Sequence, residues 1–331
     1  MMLSSRFHRH PRIACFALAL AAAVLAVWWR FDTDIDQARE RADRGSVLVE
    51  TRCGPIEYEE AGAGVPLLVV HGSGGGHDQG MAFAGRLARQ GVWVIAVSRF
   101  GYLRTPMRAD ASAAAQADAH VCLLDVLGIR QAAVLGGSAG APSALQMAIR
   151  HPNRISALIL LAPLAYKPPP QAGSTPPLSP WVETTMLSVI ASDVLFWAAL
   201  YVARDQMIEV VLATPPELLA AASPTEQTRI NALLDNILPV SARAAGLRSD
   251  SAVGRQLAPA PLEAIRAPTL IISARDDGYG TYASAEYTAS QIAGSRFVGF
   301  DQGGHTWVGH DDDVMAEILN LLAQLEGPAR P

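Results

Sequence analysis

Short apolar runs alternate with longer stretches of helical periodicity, which predicts an ordered series of strands and helices. Val47 to Thr51 and Ile56 to Glu60 read as two short strands split by Cys53-Gly54-Pro55, as in an antiparallel hairpin. Leu67 to Val70 then reads as a buried strand, Met81 to Gln90 as a helix, Val92 to Val97 as a strand and Ala113 to Leu127 as a helix. Ala132 to Leu135 (strand), Ala141 to Arg150 (helix) and Ile155 to Leu161 (strand) continue the series. Strands apolar along their whole length, alternating with amphipathic helices, imply a mostly parallel sheet covered on both faces.

After Pro163 the rhythm breaks. Lys167-Pro168-Pro169-Pro170 and Pro176-Pro177 mark a stiff loop, and about eighty residues of helical pattern follow before the next strand, Thr269 to Ser273. This reads as a helical insertion. Its most apolar part, Val194 to Ala203, is bracketed by Asp193 and Arg204 at ten residues, too short to span a bilayer, so it is read as a lid helix, with contact to lipid or a greasy substrate as the alternative. A helix near Ala283 to Ile292, a strand from Arg296 to Phe300 and a helix from Val314 to Leu325 close the pattern.

The N-terminus changes the picture. Arg6, Arg9 and Arg12 precede an uncharged apolar run from Ile13 to Trp29, which as a helix measures roughly 26 Å against a bilayer core of about 30 Å. A retained signal anchor is favoured over a cleaved signal peptide with small residues near Val24-Leu25-Ala26; both leave the arginines cytoplasmic. The rest of the chain is then membrane-anchored outside the cytoplasm, or secreted or periplasmic after cleavage. Residues 32–45 read as a linker or solvated juxtamembrane helix. A net charge of −5 provides no basic field for nucleic acid. Cys15, Cys53 and Cys122 lack C-x-x-C spacing, which removes a structural zinc site; at most one disulfide can form, and three unpaired thiols are the expectation.

Candidate chemistry centres on Gly136-Gly137-Ser138-Ala139-Gly140, a G-x-S-x-G placed between a strand and a helix. A serine hydroxyl is a weak nucleophile, so it needs a sharp turn, a base within reach and N–H groups beside it. Gly136 and Gly140 leave room for that turn. His305, on the glycine-rich loop after the last strand, is the candidate base; His310 is assigned to supporting its turn. Asp277, or its neighbour Asp276, is the candidate acid to orient the imidazole. His71-Gly72-Ser73-Gly74-Gly75-Gly76 follows the first long buried strand and offers backbone N–H groups of Ser73 or Gly74 to a developing oxyanion, with Ala139 supplying the second donor. Neither dinucleotide nor P-loop glycine spacing is present, and no cofactor or metal is expected.

Strand order, HGSGG, GGSAG, the Asp276-Asp277 turn and the GGH at His305 together resemble the α/β-hydrolase fold superfamily, over about residues 46 to 163 and 262 to 326. The resemblance implies a catalytic triad of Ser138, Asp277 and His305 and backbone oxyanion donors at Ser73 and Ala139. Ser98-Arg99-Phe100-Gly101-Tyr102 resembles a loop common in the family and is given no catalytic role. Gly137 departs from the larger residue many members carry before the serine, which leaves the pocket floor undefined.

The expected organisation is a signal anchor or signal peptide at 1–31, a linker at 32–45, an α/β-hydrolase core at 46–163 and 262–327, and a helical cap at 164–261. The expected activity is hydrolysis of a small or lipophilic ester through an acyl-enzyme. Amide, lactone, thioester or C–C bond hydrolysis, acyl transfer, and ligand binding without turnover stay open. Haloalkane and epoxide chemistry is disfavoured, because members doing it carry aspartate at the position of Ser138. The expected partners are a small-molecule substrate and the membrane; oligomeric state is not legible.

Overall fold

The computed structural model describes residues 11–168 and 191–325, so most of the proline-rich loop expected after Lys167 lies outside the described residues. An eight-stranded sheet runs β1 (Val47–Thr51), β2 (Gly54–Ala61), β4 (Val92–Val97), β3 (Val65–Val70), β5 (Ala132–Gly137), β6 (Ile155–Leu161), β7 (Thr269–Ala274), β8 (Arg296–Phe300) in spatial order. The β1–β2 hairpin and the β2–β4 pair are antiparallel; β4 through β8 are parallel. Each residue of β5 and β7 is buried, as expected of strands covered on both faces.

Two apolar layers cover the sheet. On one face α3 (Ala113–Val126), α4 (Ala141–Arg150) and α10 (Thr281–Gln291) pack around Leu68, Val134 and Leu160. On the other, α2 (His77–Ala84) and α11 (Asp311–Ala323) cover Val69, Leu135 and Ile159. The expected helix from Met81 to Gln90 begins earlier, at His77, and tightens into a 3₁₀ turn over Gly85–Gln90.

Between β6 and β7 lie α5 (Asp193–Val202), α6 (Arg204–Val211), α7 (Pro216–Ala221), α8 (Pro224–Asp235) and α9 (Ala244–Arg255), with no strand among the described residues of the insertion. They form a third apolar cluster around Phe196, Leu212, Ile230 and Leu234.

Two expectations change. Residues 32–43 take the helical alternative and not the linker, but are not solvated on all sides: they continue the apolar run as one helix, α1 (Pro11–Asp43). From Ala14 to Arg30 it stands exposed, whereas Phe31, Ile35, Ala38 and Ala42 are buried, the first three within the cluster of the insertion. The cause is a spacing of four, three and four residues that places these side chains on one stripe. Phe31 meets the Trp197 ring edge-on, and Asp34 accepts hydrogen bonds from Trp197 Nε1 (2.9 Å), Tyr201 Oη (2.8 Å) and Arg30 Nε (3.1 Å). At the far end, His77 reaches the Ala42 carbonyl (2.8 Å) through Nε2 and Glu59 (2.9 Å) through Nδ1. Second, Cys53 and Cys122 form a disulfide, contrary to the expectation of three thiols; it ties the β1–β2 turn to α3, two elements the fold places side by side. Cys15 is free and exposed.

Candidate active site

The β5–α4 turn carries Ser138 in a left-handed conformation (φ 48°), an uncommon backbone state for a non-glycine residue. The turn is held from both sides. A Cβ on Gly140 would lie 2.4 Å from the Val70 carbonyl oxygen and 2.6 Å from that of His71, and one on Gly136 would lie 2.7 Å from Ala144 Cβ. The two glycines therefore let the elbow press against the end of β3 and against α4, as the sequence required. The Ser138 carbonyl accepts the Leu164 N–H (3.0 Å), which fixes the turn to the chain leaving β6. At Gly137 a Cβ would meet the Phe83 ring at 2.5 Å. Phe83 fills the space left by the missing side chain and supplies the pocket floor.

His305 and Asp277 meet, from loops after β8 and β7. His305 Nδ1 lies 2.8 Å from Asp277 Oδ2. A carboxylate only accepts, so Nδ1–H donates this hydrogen bond and Nε2 is left outside it. Asp277 also accepts from the Thr281 hydroxyl and from the Tyr279 N–H (2.8 Å). Burial pushes its carboxyl up, but the hydrogen bond and charge of His305, with the Thr281 and Tyr279 donors, outweigh this and hold it below the ordinary carboxylate range. Asp276 does a different job: its two oxygens accept the N–H groups of Gly303 (3.1 Å) and Gly304 (2.8 Å), so it shapes the loop that carries His305. His310 stacks on Phe300 at 3.9 Å, beside the turn it was expected to support.

The loop after β3 lies against the elbow: a Cβ on Gly72 would sit 3.0 Å from Ser138 Cβ. Three of its N–H groups are already engaged, Gly72 with Gln79 Oε1 (2.8 Å), Gly74 with Tyr102 Oη (3.4 Å) and Gly75 with the Gly72 carbonyl (3.4 Å). Among the described residues no acceptor faces the Ser73 N–H. Ala139 opens a helical turn, where N–H groups have no intrahelical acceptor. His71 shapes the loop without titrating: burial first, and then the Arg99 charge, drives its pKa well below the ordinary value. Its Nδ1–H donates to the Gly72 carbonyl (2.6 Å) and its Nε2 accepts the Arg99 N–H (3.0 Å).

Ser138, Ser73, Ala139 and His305 line one cavity of about 470 Å³. The alpha/beta hydrolase fold family matches this chain over residues 65–308, from β3 to the loop beyond His305. The chain belongs to that family. A 2-hydroxymuconate semialdehyde hydrolase of Pseudomonas putida is 37% identical over 117 residues, 34% of this chain and 42% of that protein, so the match spans less than half of the relative's length. An uncharacterized hydrolase of Bacillus subtilis (strain 168), YcgS, is 27% identical over 282 residues, 80% of this chain and 94% of its own. An alpha/beta hydrolase fold protein from Nakamurella multipartita superposes with a TM-score of 0.68 at 29% identity, covering 85% of this chain and all of that one. Family and relatives together support hydrolase chemistry.

In this alpha/beta hydrolase the insertion takes part in shaping the site. The Ala213 carbonyl, after α6, accepts the N–H groups of Gly278 (3.0 Å) and His305 (3.3 Å), and Arg229 of α8 donates to the Thr306 carbonyl (2.9 Å). Arg243, fully buried before α9, donates to the Gly75 carbonyl (2.6 Å) and pairs with Asp78 (2.7 Å). Asp250 of α9 takes both terminal nitrogens of Arg99 (2.7 Å each), the Tyr102 hydroxyl and Ser73 Oγ (2.8 Å). None of these insertion residues carried a motif. The Arg99 to Tyr102 segment did, and its role is to receive Asp250.

Proposed function

We propose that this alpha/beta hydrolase is a serine esterase that works through an acyl-enzyme, with Ser138 as nucleophile, His305 as base and Asp277 as the acid that orients it. The observation that carries this reading is the 2.8 Å contact between His305 and Asp277, at the wall of the cavity into which the strained Ser138 elbow opens. His305 Nε2 takes the Ser138 proton as Oγ attacks the ester carbonyl; the N–H groups of Ser73 and Ala139 stabilise the oxyanion. The imidazolium then protonates the leaving alkoxide, and water repeats the sequence to release the acid. Leu161, Leu164, Phe196, Leu233 and Ile237 make the cavity wall largely apolar, which suits a lipophilic acyl chain. Fluorophosphonate labelling tests the reading: an adduct on Ser138 that is lost in Ser138→Ala, together with loss of ester hydrolysis, is expected. A folded protein that neither labels nor hydrolyses esters contradicts it.

The proposal extends to location. The exposed half of α1 serves as a retained anchor with the hydrolase core outside the cytoplasm, and α5 to α9 form its cap. Support comes from α1 running unbroken through the candidate cleavage region and packing its C-terminal half on α5. Intact-mass measurement of protein purified from membranes checks it. A mature chain beginning near residue 27 contradicts the anchor.

A further inference from the structure

The cavity above Ser138 has an unusual charge balance. Among the described residues that line it, neither lysine nor arginine occurs, and the titratable groups are His305, the Asp250 carboxylate and the Tyr279 hydroxyl, whose pKa burial raises to about 12. Residues 169–190 contain no lysine, arginine or histidine, so that segment brings no cation either. Lys167 and Arg255 are exposed and outside the lining. Behind the wall, Arg99 is committed: both terminal nitrogens sit 2.7 Å from Asp250, and one also donates to the Gly72 carbonyl at 3.1 Å. Arg229, over the Trp307 ring, is committed to Glu226 (2.9 Å) and the Thr306 carbonyl (2.9 Å). Arg243 is likewise committed to Asp78 and backbone carbonyls.

We propose that this site accepts only acyl groups that carry no charge, and that Asp250 enforces the rule by closing Arg99 into an internal ion pair that leaves no free cation in the wall. This rests on the serine esterase reading. An anionic acyl tail would be desolvated without a counterion, a cost that a neutral tail of equal length escapes. Recognition of carboxylate-bearing substrates, as in the named semialdehyde hydrolase, would need a cation in this wall.

The test compares three p-nitrophenyl esters on the full-length protein in detergent at neutral pH: hexanoate, the adipate monoester (anionic) and the same adipate capped as its methyl ester (neutral). Expected kcat/KM values for the two neutral esters lie within about tenfold of each other, and that of the anion lies at least about 100-fold lower. An anion hydrolysed within tenfold of its methyl ester overturns the charge rule while leaving the esterase reading intact. No turnover of any of the three, with no Ser138 adduct, overturns both. Asp250→Asn, where it folds, should narrow the gap between anion and methyl ester at least about tenfold by freeing Arg99. An unchanged gap in a folded variant removes Asp250 from the account.

Discussion

Arg243→Met tests how firmly the helical insertion holds the loop after β3, the proposed source of an oxyanion donor. The substitution keeps an unbranched apolar stem in the buried slot and removes a guanidinium that makes hydrogen bonds to Asp78 (2.7 and 3.1 Å) and to the carbonyls of Gly75 (2.6 Å), Asn236 (2.7 Å) and Ile237 (3.0 Å). Breaking one side of a buried ion pair costs about 3–5 kcal/mol, because the remaining charge stays desolvated, and each orphaned carbonyl adds to this where water cannot reach it. We expect a loss of at least about 3 kcal/mol in urea denaturation of the detergent-solubilised protein. The Gly75 carbonyl belongs to the loop that presents the Ser73 N–H, so kcat should also fall, by less than the roughly 10²- to 10³-fold of losing an oxyanion donor outright. The pair has a pH signature. Burial pushes Asp78 up, but the Arg243 charge and hydrogen bonds, followed by the charge of His77 and the Gln79 N–H, hold it below its ordinary value. The folded state thus binds the proton less readily than the unfolded chain. The stabilisation is present above the unfolded carboxylate pKa, about 3.9, and is lost as pH falls through the depressed folded value. Arg243→Met should flatten that acid limb. A loss below about 1 kcal/mol, or costs of Arg243→Met and Asp78→Asn that simply add in a double-mutant cycle, would refute the reasoning.

Asp277→Asn should lower kcat by about 10⁴-fold, because an amide N–H turned to Nδ1 fixes the wrong His305 tautomer and the carboxylate charge is lost, whereas Asp276→Asn, which perturbs only the Gly303-Gly304 turn, should cost far less; steady-state kinetics on one ester separates the two. Gly140→Ala drives a methyl into the Val70 and His71 carbonyls and should abolish both cooperative unfolding and labelling, as read by circular dichroism and fluorophosphonate. Non-reducing peptide mapping should recover a Cys53–Cys122 bridge, and Cys53→Ser with Cys122→Ser should lower stability by about 2–4 kcal/mol; an unchanged denaturation midpoint would argue that the bridge contributes nothing.

The core was legible because its signals are local. Buried strands such as Ile155–Leu161 show as unbroken apolar runs, and Ser138, Asp277 and His305 each follow a strand whose end the pattern already marks. The insertion's contribution was hidden because its contacts are long-range and chemically ordinary. Asp250 reaches Arg99 across 151 positions, and Ala213 acts through a carbonyl that every residue possesses. The docking of α1 was missed for another reason: its buried stripe of Phe31, Ile35, Ala38 and Ala42 is interleaved with charges that read as a linker or a solvated juxtamembrane helix. Choosing between Asp276 and Asp277 needed the loop path, which gives one carboxylate to the imidazole and the other to the backbone that carries it.

Rapid-quench mass spectrometry during turnover of p-nitrophenyl hexanoate tests the central claim most directly. The account predicts a transient acyl adduct on the peptide containing Ser138, formed with a burst of nitrophenol and lost in Ser138→Ala. Steady ester turnover with no adduct, or an adduct that maps to another residue, would contradict it.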